Sequence, residues 1–175
     1  MSDHAPMTPV QIAALVRASG DAAVAEVRAL GDRARIAPAP GEWSASEVLG
    51  HLIEADRRGF VGRMRLVVHE DRPTFEPWDQ PAVAAARRDQ EREPEGLVAE
   101  FLAEREDGLR FVASLDEAAC ARVGLHPHVG ELSVSDLLHE WVYHDREHVA
   151  QMLAVTQSLV WPAMGNAQRF SELDG

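Results

Sequence analysis

The stretch Leu137-Leu138-His139-Glu140-Trp141-Val142-Tyr143-His144-Asp145-Arg146-Glu147-His148-Val149-Ala150-Gln151-Met152 decides the fold. At ~100° per residue, His144 and His148 differ by about 40° in azimuth and point the same way. Leu137, Trp141, Met152 and Val155 lie within about 60° of the pair, so this is the face that enters a core. Two imidazoles on such a face are costly to bury unless each finds a hydrogen-bond partner or a metal. Side chains at i and i+4 can direct two ring nitrogens to one cation at ~2.0–2.2 Å. The competing reading is a pair of core histidines bonded to carboxylates or carbonyls, and for two on one apolar stripe the metal stands slightly ahead. The spacing is not the protease motif His-Glu-x-x-His, and Glu147 points away from the pair, so it takes no general-base role.

Working outward, the chain reads as helices separated by proline- and glycine-marked loops. The last long helix starts at Ser133, where Asp136 completes a capping box, and should persist to about Gln157. Thr8-Pro9-Val10-Gln11 announces the first helix, which runs through Ile12, Leu15, Val16, Val24 and Val27 to Gly31. Ser44 and Glu47 form a third box and open a helix predicted to continue to about Val68, with Trp43 stapling onto Val48. Gly59 and Gly62 in its middle cost helix propensity and suggest a close helix–helix approach. Residues Glu70 to Pro81 read as a loop whose Phe75 and Trp78 pack down. A short helix is expected over Val83–Gln90, and Pro94 opens another long helix that extends to Leu115. No strand alternation stands out. Four long amphipathic helices predict an all-α four-helix bundle, one domain over residues 1–175 with its core at about 8–157 and a C-terminal extension at 158–175.

Composition narrows the function. Seventeen Arg and no Lys against 29 acidic residues give a net charge of −12 over 175 residues, which speaks against a nucleic-acid partner. Without lysine there is no Schiff-base nucleophile and no Walker-type phosphate loop. The single cysteine, Cys120, excludes an intramolecular disulfide and a multi-cysteine metal site. Its acidic neighbours Asp116 and Glu117 make it a poor nucleophile and a plausible structural thiol. No signal peptide and no membrane span is evident, so a cytoplasmic location is expected.

His51, two turns into the second helix, is the natural third ligand. The main apolar stripe there (Leu49, Ile53, Phe60, Met64) lies mostly on the far side, so periodicity leaves His51 open between ligand and partly exposed histidine. His139 sits nearly opposite His144 and reads as a solvent or dimer contact. His126 and His128 flank a proline in a turn that could edge a pocket. His69 ends the second helix, and His4 belongs to the terminus.

Trp43-Ser44 with Glu47 and His51 on one helix, Trp78-Asp79 in a loop, Phe101 and Arg105 on a third helix, the turn Gly130-Glu131-Leu132-Ser133, and His144-Asp145-Arg146-Glu147-His148-Val149-Ala150-Gln151 together resemble the DinB/YfiT superfamily. The resemblance implies a four-helix bundle with up-down-down-up connectivity, usually a homodimer. It also implies one divalent metal held by His51, His144 and His148, which resolves the ambiguity at His51. Family members and relatives include bacillithiol- or mycothiol-dependent transferases and isomerases, and others that look like metal-dependent hydrolases.

The expected function is therefore a metal-dependent enzyme, a thiol-dependent S-transferase acting on a small electrophile. The metal could be zinc, nickel, iron or manganese, and a low-molecular-weight thiol would be the second cofactor. Alternatives are a metal-dependent hydrolase and a non-catalytic metal-binding or ligand-sensing bundle. Three imidazoles leave the coordination open, which favours an enzyme. The lack of a clear buried carboxylate base ranks hydrolysis below thiol transfer; Glu54 and Asp56 read as helix-surface carboxylates. Trp43, Trp78 and Trp141 are candidate pocket walls, with core packing the equal alternative, and Arg57, Arg63 and Arg105 are candidate holders of a thiol cofactor's carboxylates, with surface ion pairs the commoner fate.

Overall fold

Each of the three capping boxes opens a helix. Thr8, Ser44 and Ser133 accept from the backbone amides of Gln11, Glu47 and Asp136 at 3.3, 3.3 and 3.0 Å, and each partner side chain returns a bond. In the computed structural model, which describes residues 5–173, these caps begin α1 (Pro9–Leu30), α2 (Ala45–Glu54) and α7 (Val134–Val160). A π-helical segment, Ala55–Phe60, joins α2 to α3 (Val61–His69). There follow α4 (Gln80–Arg87), α5 (Pro94–Val112), α6 (Glu117–Cys120), β1 (Val123–His126), β2 (Gly130–Ser133) and, after α7, α8 (Phe170–Leu173).

The architecture is a four-helix bundle of α1, the α2–α3 rod, α5 and α7. α1 packs mainly on α7 and α5, and α2 packs on the same two helices, while α1 and α2 touch each other only sparingly. Two helix-sequential elements thus lie across the bundle from one another. No helix among the described residues is long and apolar enough to cross a membrane.

Apolar packing divides into two clusters. One gathers Ile12, Val16, Met64, Val67, Leu109, Val112, Leu138 and Trp141. The other gathers Val24, Val27, Leu49, Ile53, Leu97, Phe101, Met152 and Val155. Each of the four main helices supplies residues to both, and the level between the clusters is polar. There the Arg105 guanidinium, 4% exposed, donates to Asp56 Oδ2 at 2.9 Å, to the Val16 carbonyl at 3.0 Å and to Asp145 Oδ1 at 3.2 Å. Trp141 Nε1–H donates to Asp56 Oδ1 at 2.8 Å. Burying these charges is tolerable because every one has a partner.

Four expectations are corrected. The glycines in the second helix do not mediate a helix–helix approach. A Cβ on Gly62 would stand 2.3 Å from the Arg57 carbonyl, which the π turn swings inward, and a Cβ on Gly59 would meet nothing within 4 Å. A hairpin, β1 against β2 in antiparallel register, replaces the expected plain loop, and Thr74 adds a bridge to Leu125. Four-residue strands carry too little alternation to read. The short helix begins at Gln80 rather than Val83, because Asp79 caps it at 3.0 Å through Ala82. Finally, α5 stops at Val112 and α7 reaches Val160, shifts of a few residues where helix ends are least determined.

Candidate metal centre

His51 approaches from α2, and His144 and His148 from successive turns of α7. One ring nitrogen from each lies within 4.8 Å of the other two. His51 Nε2 and His144 Nε2 are 3.0 Å apart, a separation two ligands of one cation can adopt when each stands ~2.0–2.2 Å from it. His148 donates from Nδ1 to Gln151 Oε1 at 2.8 Å, which leaves Nε2 as the nitrogen open to a cation.

The donor set fits a cation. Burial lowers the His51 pKa to about 4, with the nearby His148 adding to the effect. Burial lowers His144 to about 3, helped by His148, His51 and Arg105. Both rings are therefore neutral near pH 7, the form that binds metal. The buried Nδ1 of His144 has no hydrogen-bond partner among the described residues. A bond between the two Nε2 atoms cannot cure this: whichever ring donates, Nδ1 of His144 stays uncovered as donor or acceptor. Coordination through Nε2 would leave the same Nδ1 uncovered, so the fit to a cation rests on the neutral rings and their converging nitrogens.

The π-helical segment explains why periodicity left His51 ambiguous. In an unbroken helix Phe60 would lie about 180° from His51. The wider π turn withdraws roughly 100° and brings the two to within about 80°. Phe60 then meets His144 edge-on, with ring centroids 5.2 Å apart. α2 is buried nearly all round, His51 included at 8% exposed, so its apolar side does not distinguish an inward from an outward face.

On α7, the buried stripe comprises Val134, Leu137, Leu138, Trp141, Asp145, Met152 and Val155. His144 and His148 are half-buried at its margin, where two cavities reach them. A cavity of about 550 Å³ touches His148, Gln151 and Trp43. Another of about 580 Å³ touches His144, Trp78, Phe60 and Arg63. Trp43 lies against His51 and His148 at centroid distances of 5.2 and 6.4 Å, and Trp78 stacks on His51 at 6.3 Å. Trp141, by contrast, is fully buried in the core and lines neither cavity.

The carboxylates near His51 are not surface groups. Glu54 and Asp56 are 3% and 1% exposed, and Asp145 is 1% exposed. None is a free base, because each is tied to arginine. Glu54 accepts from Arg57 at 2.7 Å, Arg87 at 2.9 Å and Arg58, and its pKa falls below the ordinary carboxylate value because these bonds outweigh burial. Burial pushes the Asp56 and Asp145 carboxyls upward, against the pull of Arg105. Helical phase gave no sign of this cluster, although Arg105 and Asp145 both lie within the residues that carry the family resemblance.

The candidate cofactor-binding arginines separate accordingly. Arg105 is locked in the core and Arg57 is held by Glu54, Glu100 and Glu104. Arg63 alone of the three lines a cavity beside the triad. His139 turns out to be an intramolecular anchor: its Nε2 accepts from the Met7 amide at 3.0 Å, and Nδ1 meets the Ser135 carbonyl at 2.7 Å. His126 lines the cavity next to His144, and His69 is exposed at the end of α3. His4 lies outside the described residues. Cys120 is half-buried, and burial with Asp116 and Glu117 raises its pKa, so it remains an unreactive thiol.

Comparison with known proteins agrees with the fold. YfiT of Bacillus subtilis (strain 168), provisionally named a metal-dependent hydrolase, is 21% identical over 122 residues, 69% of this chain and 68% of that one. A Bacillus mycoides (strain KBAB4) protein with the same provisional assignment is 24% identical over 122 residues, 69% of each chain. The solved structure of YfiT, described as an unusual four-helix bundle, superposes with a TM-score of 0.79 over 91% of this chain and 93% of that one, at 16% identity. The mycothiol-dependent maleylpyruvate isomerase shares the fold at a TM-score of 0.66 and 13% identity, over 83% of this chain and 61% of the isomerase. The family model of the DinB superfamily matches residues 15–152, a span that includes all three histidines of the triad and the buried Arg105 cluster, and the chain belongs to that superfamily.

Proposed function

We propose that this protein is a divalent-metal-dependent enzyme that joins a low-molecular-weight thiol to a small electrophile. The observation that carries the reading is the convergence of His51, His144 and His148 between two separate cavities, one reaching His148 and the other His144. Three imidazoles would hold a divalent ion with coordination left open, and such an ion supplies Lewis acidity that lowers the pKa of a thiol or water toward neutrality.

The chain's own residues do the rest. Gln151 fixes the tautomer and ring orientation of His148. Trp43 and Trp78 flank His51 with aromatic surface that limits water beside the centre. Asp145, next to His144 in sequence, is clamped by Arg105 and holds the rotation of α7. Two access routes to one centre suit a reaction of two substrates, with the thiol entering by one cavity and the electrophile by the other. Each of the nearby buried carboxylates, Glu54, Asp56 and Asp145, is committed to arginine, so none of these three stands free as the base of a hydrolysis.

A hydrolase is the second reading, favoured by the provisional assignments of the two Bacillus relatives. Turnover of a generic electrophile, measured with bacillithiol, mycothiol, glutathione or no thiol, separates the two. Metal-loaded protein should turn over only with a thiol, and the His148→Ala variant should not. Equal turnover without thiol favours hydrolysis, and background rates in every arm remove the transferase reading.

A further inference from the structure

Arg63 is half-buried in the wall of the cavity that reaches His144, yet among the described residues it makes no hydrogen bond or ion pair. Its guanidinium carbon stands 5.4 Å from the centre of the Phe75 ring, a contact that leaves its N–H donors unsatisfied. Two other arginines withdrawn from solvent are treated differently. Arg105 binds Asp56 and Asp145, and Arg87 binds Glu54, Asp89 and Glu100. Burial lowers the Arg63 pKa with no carboxylate offsetting it, whereas carboxylates raise Arg105 and Arg87. A desolvated guanidinium with five donors and no partner is a site prepared for an anion that arrives from outside.

The rest of the wall agrees. His126 Nδ1 accepts from the His128 amide at 3.3 Å, so its neutral ring carries the proton on Nε2 as a further donor. Two acidic residues also line the cavity. Asp136 is engaged by the Ser133 amide and hydroxyl at 2.8 and 2.7 Å, and Glu140 is exposed on α7.

We propose that Arg63 binds a carboxylate of the small-molecule substrate and so presents the substrate's reacting end to the histidine centre. The substrate class is then a carboxylic acid small enough for a cavity of about 580 Å³. Its place in the reaction rests on the proposed function, but the binding itself does not.

The test uses chelator-treated, metal-free protein with benzoate and its neutral isostere benzamide, and affinity is read by ligand-observed NMR. A charge-assisted bond at a partly desolvated site predicts benzoate binding roughly tenfold or more tighter than benzamide. Arg63→Met keeps the unbranched stem over Phe75 and should erase that preference, while Arg63→Lys should restore part of it. Should Arg63→Met fail to fold, the severalfold weakening of benzoate in Arg63→Lys, with benzamide unchanged, carries the same information. Equal affinities for the two ligands, or a preference that survives replacement of Arg63, would overturn the proposal. Zinc uptake by the same wild-type preparation is measured separately. Its failure beside an Arg63-dependent preference counts against the metal reading alone.

Discussion

Arg105 and Asp145 meet at the centre of the bundle, where the guanidinium Nη2 donates to Asp145 Oδ1 at 3.2 Å and both side chains are almost wholly buried. Asp145 follows His144 directly, so the contact that holds the polar layer together also orients the helix bearing two of the three histidines. Removing the cation would leave Asp56 and Asp145 buried, close together and uncompensated. Arg105→Met should cost about 3–5 kcal/mol in urea denaturation, and should weaken metal uptake in whatever fraction stays folded. A loss below 1 kcal/mol would mean that the layer is solvated and does not organise the site.

Gly50 precedes His51 and faces Asp89. A Cβ there would stand 1.7 Å from Asp89 Oδ2, and Asp89 is fixed by Arg87 at 2.7 and 3.0 Å. Neither partner can retreat cheaply, because Asp89 is 3% exposed. Gly50→Ala should therefore destabilise by about 1–3 kcal/mol, the usual cost of overpacking. Thermal denaturation checks this, and an unchanged midpoint would contradict the packing described.

The same arginine network sets an acid limit. Glu100 has its pKa lowered to about 2; burial alone would raise it, but Arg87 and Arg92 prevail. Since the folded value lies below the ordinary carboxylate value of 4.5, Glu100 adds stability above that pH. The contribution is lost as pH falls from about 4.5 through about 2. Asp56 and Asp145, shifted upward, act in the opposite sense and gain stability on acidification. Stability measured against pH for wild type and Glu100→Gln should converge below about pH 2 and separate above 4.5, wild type being the more stable. Parallel curves across that window would remove the assignment.

Much of this is legible in the sequence. The capping boxes at Thr8, Ser44 and Ser133 are local devices, written within four residues, and all three are present. The i, i+4 relation of His144 and His148 is equally local. What stayed hidden depended on geometry that no window contains. The π turn after Glu54 changes the phase between His51 and Phe60, so a wheel built on 3.6 residues per turn sorts them to opposite faces. The Asp56–Arg105–Asp145 cluster joins three helices; alone, Asp56 reads as a helix-surface carboxylate and Arg105 as a candidate cofactor holder, and nothing local links them. Arg63 stands out only when its neighbours are known, since an unpaired guanidinium is defined by absent partners. The hairpin from Val123 to Ser133 is too short for alternation to register.

The most direct test of the histidine centre is metal stoichiometry after loading with zinc and exhaustive removal of free ion, determined by elemental analysis. The account predicts one ion per chain for the wild type, most binding lost in His144→Ala with the bundle still folded, and none in the His51→Ala/His144→Ala/His148→Ala variant. Bound zinc should also raise wild-type stability by about 2.7 kcal/mol at a free concentration one hundred times the dissociation constant, and leave the triple variant unchanged. Stoichiometric metal retained by the triple variant, or a wild type that retains none, would contradict it.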